Sequence, residues 1–155
     1  MIASTHSLLS RMMIDSLYVE AMVLADEARS YFDIYSRADR DALAPIDRVG
    51  FSCESLRVTT RLMHIIAWLL TRKAVAAGEI SEAQAIAPER RLGHSQASDP
   101  DMAVDLPEIA RQIIAATGDL YARVVRLDAE MVRSDAALSP ARTLFQRLEG
   151  VFQAA

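Results

Sequence analysis

Three histidines, one cysteine and several neighbouring carboxylates are the residues whose types could do chemistry. His6, His64 and His94 lie on separate segments. None has a Cys, His, Asp or Glu partner at a metal-site spacing such as His-Glu-x-x-His. Without a local ligand set, no metal and no cofactor is expected. Cys53 has no base beside it, and the adjacent carboxylate of Glu54 disfavours a thiolate, so it reads as a bystander. Asp26 and Glu27 are paired carboxylates on a helix with compensating arginines, which is the pattern of a solvated face. There is no glycine-rich phosphate loop, no Gly-x-Ser-x-Gly elbow and no dinucleotide fingerprint. No catalytic residue is assigned, and an enzyme is not expected.

The most informative pattern is one of charge placement. From Ser55 to Gly78 there is no acidic residue, while Arg57, Arg61, Arg72 and Lys73 are present. Arg57, Arg61, His64, Trp68 and Arg72 recur at three- and four-residue steps, so on a helix they share one stripe. Trp and Arg are the types enriched in binding hot spots, and the stripe holds the only tryptophan. Two arrangements fit. The arginines pair with acids such as Asp26, Glu27 or Asp33 and Trp68 packs under their stems. Alternatively the five residues form a partner-binding surface, the assignment carried forward as the site expectation.

Three long helices must carry these residues. The first is expected from about Ser7 to Ala38, with Met13, Leu17, Ala21, Leu24, Ala28, Tyr31 and Tyr35 as its apolar stripe. Residues 37–45 read as a polar turn, and the next helix starts between Asp41 and Ser52. That second helix ends at Ala77 with Gly78 as its left-handed cap. It has two apolar stripes: Leu56, Met63, Ile66, Ala67, Leu70 and Ala74, and Val58, Leu62, Ile65 and Leu69. A helix apolar over so much of its circumference must be covered on more than one side, as the central helix or at a subunit interface. Ser81 and Gln84 form a capping-box pattern for a short helix, followed by a long loop without periodicity. The third helix is expected to be capped by Asp105, with Pro107 in its first turn, and to end near Ser134. After Ser139-Pro140, the residues Leu144, Phe145, Leu148, Val151 and Phe152 form a short amphipathic stretch. It is either a fourth docked helix or a loosely attached tail that binds elsewhere.

Composition narrows the function classes. The 155 residues are 52% hydrophobic but only 6% aromatic, with 5 Gly and 5 Pro. So few turn-formers point to an all-α domain rather than a sandwich or barrel. Few rings argue against a deep ligand pocket or a base-stacking surface. The net charge of −4 disfavours a nucleic-acid binder. The single cysteine excludes an internal disulfide and fits a reducing compartment. No secretory signal starts the sequence, and the apolar run Leu62–Leu70 falls far short of the roughly 20 residues that span a bilayer. No membrane association is expected.

Residues 53–85, CESLRVTTRLMHIIAWLLTRKAVAAGEISEAQA, resemble the signature of the RcdA family, named for regulation of CtrA degradation in alphaproteobacteria. The resemblance rests on Glu54, Ser55, Leu56 and Arg57, on Thr59, Thr60, Arg61, Leu62 and Met63, on Ala67, Trp68, Leu69 and Leu70, and on Ala74, Val75, Gly78, Glu79 and Ile80. Residues 17–33 and 106–128 are similar to the family as well. The resemblance implies a non-catalytic adaptor that works with the ClpXP protease, a CpdR-like priming protein and a PopA-like adaptor. It implies help in delivering protein cargo, namely cell-cycle regulators such as CtrA. It further implies a homodimeric three-helix bundle with a flexible C-terminal tail, in the cytoplasm, with recruitment to the cell pole alongside the protease.

Residues and resemblance together give one expectation. Residues 1–134 form an antiparallel three-helix bundle with a long loop between helices 2 and 3, and residues 135–155 form a flexible or loosely docked tail in which Leu144, Phe145, Leu148 and Phe152 contact partners. The alternative is a helical dimeric regulatory protein that acts on a single partner without a protease.

Overall fold

The computed structural model describes the backbone of residues 2–153 and the side chains of residues 7–137 and Leu144. Its elements are helices α1 (Ile2–Arg29), α2 (Arg37–Asp41), α3 (Pro45–Ala76), α4 (Glu82–Ala85), α5 (Pro100–Ala103) and α6 (Glu108–Gln153). Among the described residues there is no strand.

Helix α1 buries Ile14, Leu17, Ala21, Leu24 and Ala28. It then widens into one π turn over Ser30–Tyr35, where the Ser36 amide donates to the Tyr31 carbonyl at 2.8 Å. The extra residue of that turn brings both Tyr31 and Phe32 inward. Their rings meet Phe51 of α3 edge to face, with Phe32 and Phe51 centroids 5.3 Å apart. The expected stripe therefore needs correction at its ends. Tyr35 is exposed and Phe32 takes the inward place, because the π turn rotates the helix there. At the other end Ile14 rather than Met13 is buried, since it stands one turn before Leu17 on the face that continues through Ala21, Leu24 and Ala28.

Helix α3 opens on Pro45, whose missing N–H costs nothing in a first turn. The Arg48 guanidinium donates to the carbonyls of Leu43 and Asp41 and stitches the preceding turn. At its other end Gly78 adopts φ 75°, and the Glu79 amide reaches back to the Ala74 carbonyl at 3.0 Å. The capping box of Ser81 and Gln84 starts α4 as the sequence implies.

The direction of the helices follows from their cross-links. Arg123 of α6 pairs with Glu20 of α1, and Lys73 of α3 pairs with Asp15 of α1, so α1 runs against both. Between α3 and α6, Arg61 bonds Thr117 and Trp68 bonds Asp128, so the residue numbers rise together. Helices α3 and α6 are thus parallel, and the bundle is not antiparallel throughout. The crossover at residues 77–107 carries the chain back along the bundle before α6 begins. The core between the three long helices is led by Val58, Ile65, Leu69, Leu120 and Val124, all fully buried.

Two boundaries of the last helix differ from expectation. It begins at Glu108, with the Pro107 carbonyl accepting from the Arg111 amide. Asp105 stays in the preceding turn, which lets Leu106 reach the core. The helix also does not end near Ser134. Its backbone continues through Ser139-Pro140 to Gln153. Residues 128–138 are rich in good helix formers, and a proline removes only one of the bonds that hold such a run.

Candidate functional site

Helix α3 is the site's scaffold, and its two poles do different things. One pole carries Glu54, Arg61 and Trp68 at seven-residue spacing, facing Thr117, Tyr121 and Asp128 of α6. Trp68 is 3% exposed and its indole N–H donates to Asp128 Oδ1 at 2.9 Å. Asp128 Oδ2 accepts from Arg91 Nε at 2.8 Å. Arg61, also 3% exposed, donates to Thr117 Oγ1 at 3.0 Å and to Ser98 Oγ at 3.1 Å. Burial lowers the Arg61 pKa from its ordinary value, and the Glu54 carboxylate partly offsets this. Glu54 is itself fully buried and pairs with Arg57 one turn on. The hydrogen bond to Asp128 raises the pKa of Arg91.

These distances place each expected site residue. Arg57, Arg61, His64, Trp68 and Arg72 do share a stripe, but it faces the chain's own crossover and α6. Arg61 and Trp68 are closed off from solvent, so in this fold they do not form a free partner surface. The intramolecular arrangement holds, with different acids from those expected. Arg72 forms a bidentate pair with Glu82 at 2.7 and 2.8 Å and Arg57 uses Glu54, rather than Asp26, Glu27 or Asp33, and Trp68 bonds Asp128 instead of only packing under the arginine stems. The ring of His64 lies under Gly93. Cys53 is half-buried and His94 is exposed. The side chain of His6 lies outside the described residues, as do those of Phe145, Leu148 and Phe152 in the tail. Leu144 is exposed. Among the described residues, no cluster of three or more His, Cys, Asp or Glu forms a metal-ligand set. No helix among them is long and apolar enough to cross a membrane.

The opposite pole of α3 is apolar and open. Val49, Leu56, Met63 and Leu70 repeat every seven residues, with Leu56 69%, Met63 61% and Leu70 48% exposed. Beside them a groove of about 580 Å³ runs between α1 and α3, lined by Ala25, Phe32, Met63, Ile66 and Leu70 among others. Val19, Met22 and Val23 extend the apolar surface along α1. Isolated exposed apolar residues need no explanation, but a contiguous set at helical spacing marks an interaction surface. Of the two stripes read on this helix, Val58-Leu62-Ile65-Leu69 is the core, while of the other Leu56, Met63, Ala67 and Leu70 are exposed and Ile66 packs partly against the core.

The polar partners on α6 were missed. Thr117, Tyr121 and Asp128 stand at core spacing with Val124 among them, and polar residues on an apolar stripe are the signal that could have found them.

Residues 5–152 match the family model described as "Protein of unknown function (DUF1465)". No curated protein matches the chain. The crystal structure of RcdA from Caulobacter crescentus CB15 is 31% identical in sequence and aligns with a TM-score of 0.63. That alignment covers 76% of this chain and 89% of that one. A family match over nearly the whole length, together with this identity over most of the solved structure, means that the chain belongs to the DUF1465 family and is RcdA-like.

Proposed function

We propose that this chain is a non-catalytic adaptor in regulated proteolysis. It helps deliver cell-cycle regulators such as CtrA to ClpXP, together with a CpdR-like priming protein and a PopA-like adaptor. The observation that carries this reading is the 31% identity to RcdA over 89% of that chain. The fold is compatible with it, since the conspicuous surface is an apolar face suited to binding protein.

In this reading the outward pole of α3 is where two copies meet. The face formed by Thr59, Thr60, Met63, Ile66, Ala67, Leu70, Thr71 and Ala74 carries no charge. It is also self-complementary. In an antiparallel pair centred on Met63, Leu56 of one copy lies opposite Leu70 of the other, as a two-fold interface requires. A dimer doubles the tethered contacts at the protease and raises effective concentration there.

The test is reconstituted degradation of a CtrA-like regulator by ClpXP and a CpdR-like protein, with and without this chain. Faster degradation on its addition is expected, and an unchanged rate overturns the reading. A truncation after Ser134 asks whether the C-terminal segment takes part. A pull-down that recovers no unfoldase subunit favours the single-partner regulator instead. Met63→Asp places a charge at the centre of the open face. It is expected to halve the solution mass measured by light scattering, with the helical circular dichroism unchanged.

A further inference from the structure

From Arg91 to Ser98 the crossover makes no backbone-to-backbone hydrogen bond among the described residues. Side chains of α3 and α6 hold it instead, and most of them grip its main chain. The Tyr121 hydroxyl donates to the Gly93 carbonyl at 2.8 Å and accepts from the Ser95 amide at 3.0 Å. Glu54 Oε1 accepts from the Asp99 amide at 3.3 Å, and Arg61 reaches the Gln96 carbonyl at 3.4 Å. This is how a groove holds an extended peptide: contacts to the main chain give affinity, and a few side-chain contacts give selectivity.

The selective contacts are also visible. Arg91 pairs with Asp128 at 2.7 Å. Two residues on, a Cβ at Gly93 would meet the imidazole of His64 at 2.7 Å, so any larger residue there forces the ring or the segment to shift. The segment nevertheless fits its seam incompletely. Among the described residues, three buried side-chain polar atoms lack a hydrogen-bond partner: Glu54 Oε2, His64 Nδ1 and Ser95 Oγ. All three lie along this seam, and nothing in the apolar core shares the defect. Buried polar groups are otherwise nearly always paired, so two orphans on the groove, Glu54 Oε2 and His64 Nδ1, and one on the segment itself, Ser95 Oγ, mark a fit that another occupant can improve.

We propose that the α3/α6 seam is a binding groove for an extended polypeptide, filled in the free protein by the chain's own residues 91–99. The competing occupant is a partner segment with a basic residue two positions before a glycine. That such a segment belongs to a client protein rests on the adaptor reading, but the groove itself does not.

The experiment loosens the segment by substitutions made on the segment itself. In full-length Gly93→Ala, the added methyl collides with His64 and residues 91–99 lift away. Proteolysis within 91–99 should rise at least tenfold, and emission from Trp68, the only tryptophan, should change as its surroundings open. A peptide of residues 89–100, which lacks tryptophan, should then bind saturably and restore the emission. The unaltered chain should bind it at least tenfold more weakly, and a peptide with alanine in place of its glycine should not bind. If Gly93→Ala does not fold, Arg91→Ala, which removes only the contact to Asp128, is read in the same way. The proposal is overturned if the segment stays protected in the folded variant or if it opens and no peptide binds. It is also overturned if the variant doubles its mass with unchanged Trp68 emission, because the seam is then filled by a second copy. No protease is present, so failure here leaves the adaptor reading standing, and failure of the degradation assay leaves this one standing.

Discussion

Replacing Arg61 by methionine, alone and with Glu54→Gln, probes the buried polar seam at its centre. Arg61 makes two well-placed hydrogen bonds, to Thr117 at 3.0 Å and Ser98 at 3.1 Å. Bonds from a charged donor contribute about 1.5–3 kcal/mol each. Against this stands the desolvation of the guanidinium, which lowers its pKa and which methionine relieves. The substitution also leaves the fully buried Glu54 carboxylate with Arg57 as its one cationic partner, which adds to the loss but by less than the roughly 3–5 kcal/mol of breaking a buried pair outright. A net loss of about 3 kcal/mol is expected. With a urea m-value of about 2 kcal/mol/M, the midpoint falls by about 1.5 M. The assay is urea denaturation at one fixed protein concentration, since self-association would otherwise shift the midpoint. Adding Glu54→Gln removes the buried carboxylate, which in Arg61→Met keeps only Arg57 as its cationic partner, so the double variant should be more stable than the sum of the single effects by about 1 kcal/mol. A loss below about 1 kcal/mol for Arg61→Met, or strict additivity in the cycle, would refute the claim that these groups act as one unit.

Two further outcomes follow from single contacts. Tyr31 donates to Asp39 at 2.8 Å, and burial, then this bond and the Asp39 charge, raise its pKa well above the usual phenol value. The folded chain therefore keeps a proton that the unfolded chain releases above about pH 10, and rising pH favours unfolding there. The stability advantage of the natural chain over Tyr31→Phe should be full at pH 8 and should shrink from pH 10 upward; parallel pH profiles would sink the argument. At Gly78, φ is 75° and a Cβ would touch nothing within 4 Å, so Gly78→Ala isolates the backbone term. Thermal unfolding should show a loss of about 1 kcal/mol, and a stabilised variant would contradict the left-handed cap.

Local features were legible in the sequence. The Gly78 cap and the Ser81-Gln84 capping box depend on neighbours in the chain and stand where the residues imply, and the existence of three long helices was equally legible, although not all of their ends. The role of the Arg/Trp stripe was not legible, although its membership was. Its partners Ser98, Thr117 and Asp128 lie 37 to 60 residues away. They meet it only because the crossover sets α6 parallel to α3, a choice that helical periodicity does not encode. The same holds for the two apolar stripes of α3, since periodicity shows that both exist but only the third helix decides which is covered. The end of α6 failed for the opposite reason. Pro140 is a strong local signal, and the helix-forming run before it outweighs one missing bond.

The crossover also has a consequence for biosynthesis. Helices α1 and α3 are adjacent in sequence and can pair once residue 76 has left the ribosome. The faces they turn toward α6, with Val58, Ile65 and Leu69, stay uncovered until α6 has emerged to about Met131. At about 5–20 residues per second, those 55 or so further residues take roughly 3–11 s. For that interval the nascent chain presents a half-built core, and a ribosome stalled between the two helices would leave a sticky hairpin for chaperones to hold.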